Sequence, residues 1–348
     1  MTAVKAYATH SPQDKLVLFN VERRSLRATD VQVDILFSGV CHSDLHQARN
    51  EWGGSIYPMV PGHEIVGIVS AIGNKVTKFN LGDRAGIGVM IDSCRSCKPC
   101  ENHLEQYCTE GMTGTYNGYE RDGITVAQGG YSTQIVCDER YTYHIANHLD
   151  LAGVAPLLCA GITTYSPLKY AQVKPGDKVA VAGLGGLGHM AVKFAVAMGA
   201  EVTMLSTSKS KEADARKLGA HHFILSSDEM AMKAIESHFD VVLDAVSGNH
   251  PYEIYLKLLA VNGKMLVVGL PKEQPTVNPF ELIKNRRCIL GSMIGGTIET
   301  QEMLDFCAEK NIISEVEVIP MPYINEAYER MLRNDVKYRF VIDMASLK

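Results

Sequence analysis

Four cysteines crowd one polar segment, DSCRSCKPCENHLEQYC, as Cys94, Cys97, Cys100 and Cys108. Their spacing, C-x2-C-x2-C-x7-C, brings four thiols into a single loop, and four thiolates close a tetrahedral shell around zinc with no open position. Such a site organises a loop and leaves no room for a substrate. An iron–sulfur cluster or a redox switch is the alternative, although the fourth spacing and the absence of a following proline depart from the bacterial ferredoxin run. The chain has nine cysteines in 348 residues, an odd number, and the crowding of four of them points to metal in a reducing compartment rather than to disulfides.

Other metal-binding types are dispersed. GVCHSDLHQ holds Cys41, Ser43, Asp44 and His46; PGHEIVG holds His63 and Glu64 just ahead of an apolar run; Cys159 lies far downstream in LLCAGITTY. Taken singly, a cysteine or histidine beside an apolar stretch reads as a packed core residue, and Glu64 as a surface carboxylate.

A third pattern suits a phosphate. In KVAVAGLGGLG, the residues Gly183, Leu184, Gly185, Gly186, Leu187 and Gly188 follow a continuous apolar strand and open a helix, the context that a dinucleotide fingerprint requires. Glycine lets the backbone approach a pyrophosphate, and the helix amino terminus offers N–H groups and a positive dipole. About 20 residues on, an acidic side chain would take the ribose hydroxyls of NAD. The chain instead reads Ser206, Thr207, Ser208, Lys209, Ser210, Lys211, with no carboxylate before Glu212. Hydroxyls and lysines can bind a 2′-phosphate that a carboxylate would repel, which favours NADP(H). Lys209 also fits a solvated helix start.

These residues need two kinds of framework, and the chain is long enough for two domains. The first 150 residues carry short β-branched runs between glycine turns (VQVDILFSGV, EIVGIVSAIG, DRAGIGVM, GGYSTQIVCDERYTYHI), which predict an irregular β domain. From Lys174 the pattern becomes strand, glycine loop, helix and strand: Leu187, Met190, Ala191, Phe194, Ala195 and Met198 share one helical face, Gly199 ends the helix, and EVTMLS is a second buried strand. Further apolar strands follow at FDVVLDAV, GKMLVVGL and RCILGSMI. The class is therefore α/β, with a doubly wound parallel sheet over residues 154–295 and the β domain built from 1–153 and the returning tail 296–348.

In combination the motifs resemble the zinc-containing medium-chain alcohol dehydrogenases, and within them the cinnamyl alcohol dehydrogenase branch. The resemblance spans the chain: G-x-C-H-S-D-x-H, Y-P-M-V-P-G-H-E, the four-cysteine loop, T-Y-N, Q-G-G-Y, L-L-C-A-G-I-T-T-Y-S-P-L, G-L-G-G-L-G-H and N-D-V-K-Y-R-F-V. It implies a GroES-like catalytic domain beside a Rossmann domain, two zinc ions per chain, and catalytic zinc held by Cys41, His63 and Cys159 with an open fourth position, the Cys2His set known for alcohol dehydrogenase. Glu64 would be an intermittent ligand and Asp44 would orient His63. Ser43 and His46 would relay a proton, and Thr163, four residues after Cys159 and so on the same face if the segment is helical, would touch the nicotinamide. Ser206, Thr207, Ser208 and Lys211 match the phosphate-binding stretch. Trp52 is a candidate pocket wall or a core residue, with Tyr57, Met90 and Ile294 as further candidates, Ile294 counted with the cofactor contacts. The plant branch carries a tryptophan where this chain has Gly114, which argues against strict specificity for cinnamaldehydes.

A net charge of −5 without a basic block argues against nucleic acid and anionic membrane as partners and for a small aldehyde or alcohol substrate. The amino terminus has no apolar core and no stretch of 18 apolar residues occurs, so a cytoplasmic protein is expected; family analogy adds a homodimer. Two other functions share these features: an NADPH-dependent reductase of a conjugated C=C or iminium bond, and a non-catalytic NADPH-binding redox sensor.

Overall fold

The computed structural model describes residues 2–347. Among these, the chain forms two compact units, 1–159 with 295–348, and 160–294.

The first unit is built on an antiparallel sheet whose long central strand, Asp30–Val40, takes three neighbours along its length. Ile65–Ile72 pairs along one side, and Gln134–Asp138 and Arg339–Asp343 share the other, the former opposite residues 30–34 and the latter opposite 37–40. Arg84–Ile87 and Thr142–His144 extend the sheet beyond Ile65–Ile72, while Val316–Pro320 lies parallel to Arg339–Asp343 at the other edge. The β-branched runs of the sequence thus become strands, and the tail segment YRFVIDM supplies a sheet neighbour to residues near the start of the chain. Residues 154–159, expected in the second unit, group with the first. Leu158 packs where a side chain on Gly86 or Gly88 would stand, so these two glycines let the turn Ala155–Leu158 lie directly on the sheet.

The second unit is a six-stranded parallel sheet in the order His222–Leu225, Glu201–Ser206, Lys178–Ala182, Phe239–Asp244, Leu259–Val267, Cys288–Gly291. Chain order reverses between Lys178–Ala182 and Phe239–Asp244, the switch point at which doubly wound sheets bind ligands. Val179 to Ala182 are wholly buried, as expected of a strand covered on both faces. Gly188–Ala197 is the helix that follows; Met190, Ala191, Val192, Phe194 and Ala195 are inaccessible to solvent, and Leu187 and Met198 half-buried. Gly199 takes φ +88°, which ends the helix where a glycine was expected to. No single helix among the described residues is long and apolar enough to cross a membrane.

Candidate active site and metal centres

Cys41 sits in extended conformation at the N-cap of the short helix His42–Ala48, whose third residue is Asp44. Asp44 is buried, and its carboxylate accepts from four donors: the N–H of Cys41 at 2.9 Å, the N–H of Gly62 at 3.1 Å, Nδ1 of His63 at 2.9 Å and the Tyr131 hydroxyl at 3.3 Å. One carboxylate therefore fixes the segment before the helix and the segment around His63. The turn at Pro61–Gly62 needs glycine: Gly62 has φ +104°, and a Cβ there would lie 2.7 Å from the Tyr131 ring. Backbone bonds from Gly129, Gly130 and Tyr131 to Val60, Gly62 and Pro61 explain why the Q-G-G-Y segment accompanies the histidine segment. Tyr116 of the T-Y-N motif stacks on His63 with centroids 5.8 Å apart.

Asp44 takes Nδ1 of His63, so the other ring nitrogen faces the cluster. There, ligand atoms of Cys41, His63, Glu64 and Cys159 all lie within 4.8 Å of one another, every residue buried, with the two sulfurs 3.9 Å apart. Their electrostatics suit a cation. The hydrogen bond between the thiols lowers Cys41 well below the usual thiol range and raises Cys159 well above it, so one proton is shared between two potential thiolates. Burial opposes a charge on His63, yet Asp44 holds its imidazolium well above the usual histidine range. Glu64 is pushed up to about 8 by burial although it pairs with the buried guanidinium of Arg339. Its Oε2 has no hydrogen-bond partner. Two sulfurs, an imidazole nitrogen and a carboxylate oxygen without a hydrogen-bond partner, buried together, are the donor set that zinc takes in Cys2His sites, and the residues fit it.

Cys159 is not on a helix. It stands at φ −131° between the turn Ala155–Leu158 and the helix Ala160–Tyr170, so the condition for a shared helical face with Thr163, a helix running through Cys159, is not met; Thr163 is half-buried near the start of that helix. Ser43 Oγ lies 3.6 Å from Cys41 Sγ. His46, one turn on from Ser43, sets Nδ1 2.6 Å from Glu51 and lies against the ring of Trp52, centroids 5.1 Å apart. Trp52 is 49% exposed, which excludes the core reading. Tyr57 is half-buried and donates to the Ala48 carbonyl at 2.8 Å, and Met90 and Ile294 are buried.

The second cluster is made by the crowded cysteines, whose four sulfurs also lie within 4.8 Å of one another. Backbone N–H groups already point at sulfur: Cys97 to Cys94 at 3.3 Å and Cys94 to Cys108 at 3.4 Å. Hydrogen bonds of this kind favour thiolate, and the N–H of Cys100 pulls Cys97 down to about 6. Arg95, at φ +66°, ties the loop to Asp92 at 2.9 Å and Asp138 at 3.0 Å. The four thiols fit a closed tetrahedral zinc site.

In the second unit, a Cβ on Gly188 would run into the carbonyl of Gly183, which is why the loop turns into its helix through glycine. At the end of Glu201–Ser206, Ser206 is buried, Ser208 donates from its N–H to Ser206 Oγ at 3.2 Å, and Lys211 Nζ donates to the Leu184 carbonyl at 2.9 Å. Lys211 therefore leans over the glycine loop. Lys209 pairs instead with Glu212 at 2.6 Å on the surface.

Residues 27–147 match the alcohol dehydrogenase GroES-like domain family and residues 186–309 the zinc-binding dehydrogenase family. The chain belongs to the zinc-dependent medium-chain alcohol dehydrogenases. Within that family it is 52% identical to NADP-dependent alcohol dehydrogenase C 1 of Mycolicibacterium smegmatis, with all of both chains covered. Among solved structures it is similar to a cinnamyl alcohol dehydrogenase of Sorghum bicolor (TM-score 0.96, 41% identity, 100% and 99% of the two chains). It is also similar to the cinnamyl alcohol dehydrogenase of Helicobacter pylori complexed with NADP(H) (TM-score 0.92, 42% identity, 99% of each). Sequence reasoning left Arg339, Tyr131, Tyr116 and Glu51 of this dehydrogenase without roles. The first three lie inside motifs quoted for the resemblance, and that membership was the available signal.

Proposed function

We propose that the chain is an NADP(H)-dependent alcohol/aldehyde dehydrogenase that reversibly reduces aromatic or medium-chain aliphatic aldehydes to primary alcohols. The observation that carries the reading is the buried quartet Cys41, His63, Glu64 and Cys159, whose ligand atoms converge and one of whose carboxylate oxygens has no hydrogen-bond partner. In this reading Cys41, His63 and Cys159 hold the catalytic zinc, Glu64 is its intermittent ligand, and the four-cysteine loop holds a second, structural zinc. Bound zinc supplies a Lewis acid for the carbonyl oxygen, and the bound nicotinamide supplies or accepts the hydride.

The chain's own residues do the rest. Asp44 fixes the ring of His63 through Nδ1. Arg339 steadies one oxygen of Glu64 and leaves the other unbonded. Ser43 and His46 share a face of their helix, so a proton leaving the buried site at Ser43 Oγ has an acceptor one turn away, and Glu51 orients that imidazole through Nδ1. Gly183–Gly188 offer the backbone to a pyrophosphate, and Ser206, Thr207, Ser208 and Lys211 offer hydroxyls and a cation to a 2′-phosphate. Thr163 and Ile294 are assigned to the nicotinamide half, and Trp52, Tyr57 and Met90 to the substrate. A cytoplasmic homodimer belongs to the same proposal, and sedimentation velocity tests the dimer.

The test is a panel of aldehydes of graded size, assayed with NADPH and with NADH beside zinc quantification. Aldehyde-dependent oxidation of NADPH over NADH is expected, and Lys211→Ala should raise the KM for NADPH by about tenfold or more while sparing NADH, because it removes a charged hydrogen-bond donor. A strong NADH preference in the wild type would remove the reading of Ser206 to Lys211. Cys41→Ser and Ser43→Ala separate carbonyl reduction, which should collapse in both, from reduction of a conjugated C=C bond.

A further inference from the structure

A buried acid–histidine pair stands at the end of the strand Phe239–Asp244, and no role assigned above uses it. Asp244 is wholly buried, with Oδ1 accepting the N–H of Val246 at 3.1 Å and Oδ2 lying 2.9 Å from Nε2 of His250. The other ring nitrogen, Nδ1, lies 2.8 Å from the Gly248 carbonyl. A carbonyl only accepts, so Nδ1 carries a hydrogen and the contact between Nε2 and Oδ2 is bridged by a second proton. Whichever of those two atoms holds it, the pair is neutral as a unit. Tyr252 and Tyr255 flank the imidazole at 5.6 and 5.3 Å between centroids. The two residues thereby close the short loop between them at its base.

What the loop carries gives the pair its meaning. Asp244 is in register with Ala182 across the switch point, and Ala245 donates to the Ala182 carbonyl at 3.0 Å. The next residue, Val246, is wedged between two glycines: its Cγ2 would stand 3.0 Å from a Cβ on Gly183, and its carbonyl oxygen fills the space of a Cβ on Gly269. Gly183 is the first glycine of the dinucleotide loop, so Val246 lines the crevice beside it.

We propose that His250 and Asp244 are positioning residues for the dinucleotide: their clasp holds Val246 against Gly183 and so sets the shape of the crevice that receives the cofactor. The proposal rests on the dinucleotide-binding reading of Gly183–Gly188. Neither side chain need touch the cofactor, since both act through the loop. Displacing a wall at a binding crevice loosens the fit, whereas a brace unconnected with the site would lower only the unfolding temperature.

The experiment titrates zinc-loaded wild type, His250→Ala and His250→Gln with NADPH, followed by nicotinamide fluorescence, and records thermal unfolding and the KM and kcat for NADPH at saturating aldehyde. His250→Ala should raise Kd and KM for NADPH by about tenfold, with kcat much less affected, because small misplacements at a binding site are costly. His250→Gln, whose amide can still donate to Asp244, should recover most of the loss. Val246→Ala reads the same contact if His250→Ala does not fold, and its Kd should rise likewise. Tight NADPH binding by wild type with an unaltered Kd in His250→Ala, or in Val246→Ala where that variant stands in, overturns this inference alone. No NADPH binding by wild type overturns the dinucleotide reading, and this inference with it.

Discussion

At the scale of single residues, Asp44 ties the parts of the buried cluster together. A buried carboxylate is costly unless its lone pairs are filled, and here two backbone N–H groups, a ring nitrogen and a phenol fill them. The same bonds hold Cys41 and His63 in place. Asp44→Asn keeps the shape and loses the charge, and it should weaken zinc binding at the Cys41–His63–Cys159 site by about 10- to 100-fold in chelator competition. Unchanged affinity would reduce Asp44 to a helix cap. Cys41, His63 and Cys159 were legible only through the combination of motifs that carries the family resemblance, since each taken singly reads as a core residue. Arg339 was not, although its motif was recognised: it meets Glu64 across 275 positions of sequence, and only the pairing of Arg339–Asp343 with Asp30–Val40 brings them together.

At the scale of elements, the four-cysteine loop has a second duty. Glu105, between Cys100 and Cys108, caps the helix Thr297–Lys310: its carboxylate accepts from the N–H of Thr297 at 3.0 Å and from its hydroxyl at 2.9 Å. The residue at the N-cap is Gly296, which has no side chain to do this, and a Cβ there would strike the His103 carbonyl. Glu105→Ala should therefore cost about 0.5–2 kcal/mol in denaturant unfolding, the range for loss of an N-cap. An unchanged midpoint would mean that water replaces the carboxylate without loss. The capping was invisible in the sequence because cap and helix are nearly 200 residues apart, whereas the strand–glycine loop–helix unit was legible because periodicity and punctuation are local signals. The same locality sets the limit at Cys159: a shared face with Thr163 depended on a helix running through that position, and the backbone breaks there.

At the scale of the whole molecule, the first unit holds both sulfur clusters and the second the crevice at the sheet's switch point. The doubly wound sheet could be read from the sequence because its buried strands are continuous apolar runs. The strand register of the first unit could not, because its antiparallel partners come from distant stretches and carry two β-bulges on the central pair. The two clusters also differ in what they leave open. Four thiols close a shell, while the Cys41–His63–Cys159 set keeps a place beside a carboxylate with an unbonded oxygen.

That difference makes the zinc count and activity of one variant the most direct measurement. Cys159→Ser should retain one zinc per chain, held by Cys94, Cys97, Cys100 and Cys108, remain folded, and lose aldehyde-dependent NADPH oxidation. A Cys159→Ser protein that carries a single zinc and still reduces aldehydes at the wild-type rate would contradict the assignment of the chemistry to the Cys41–His63–Cys159 site.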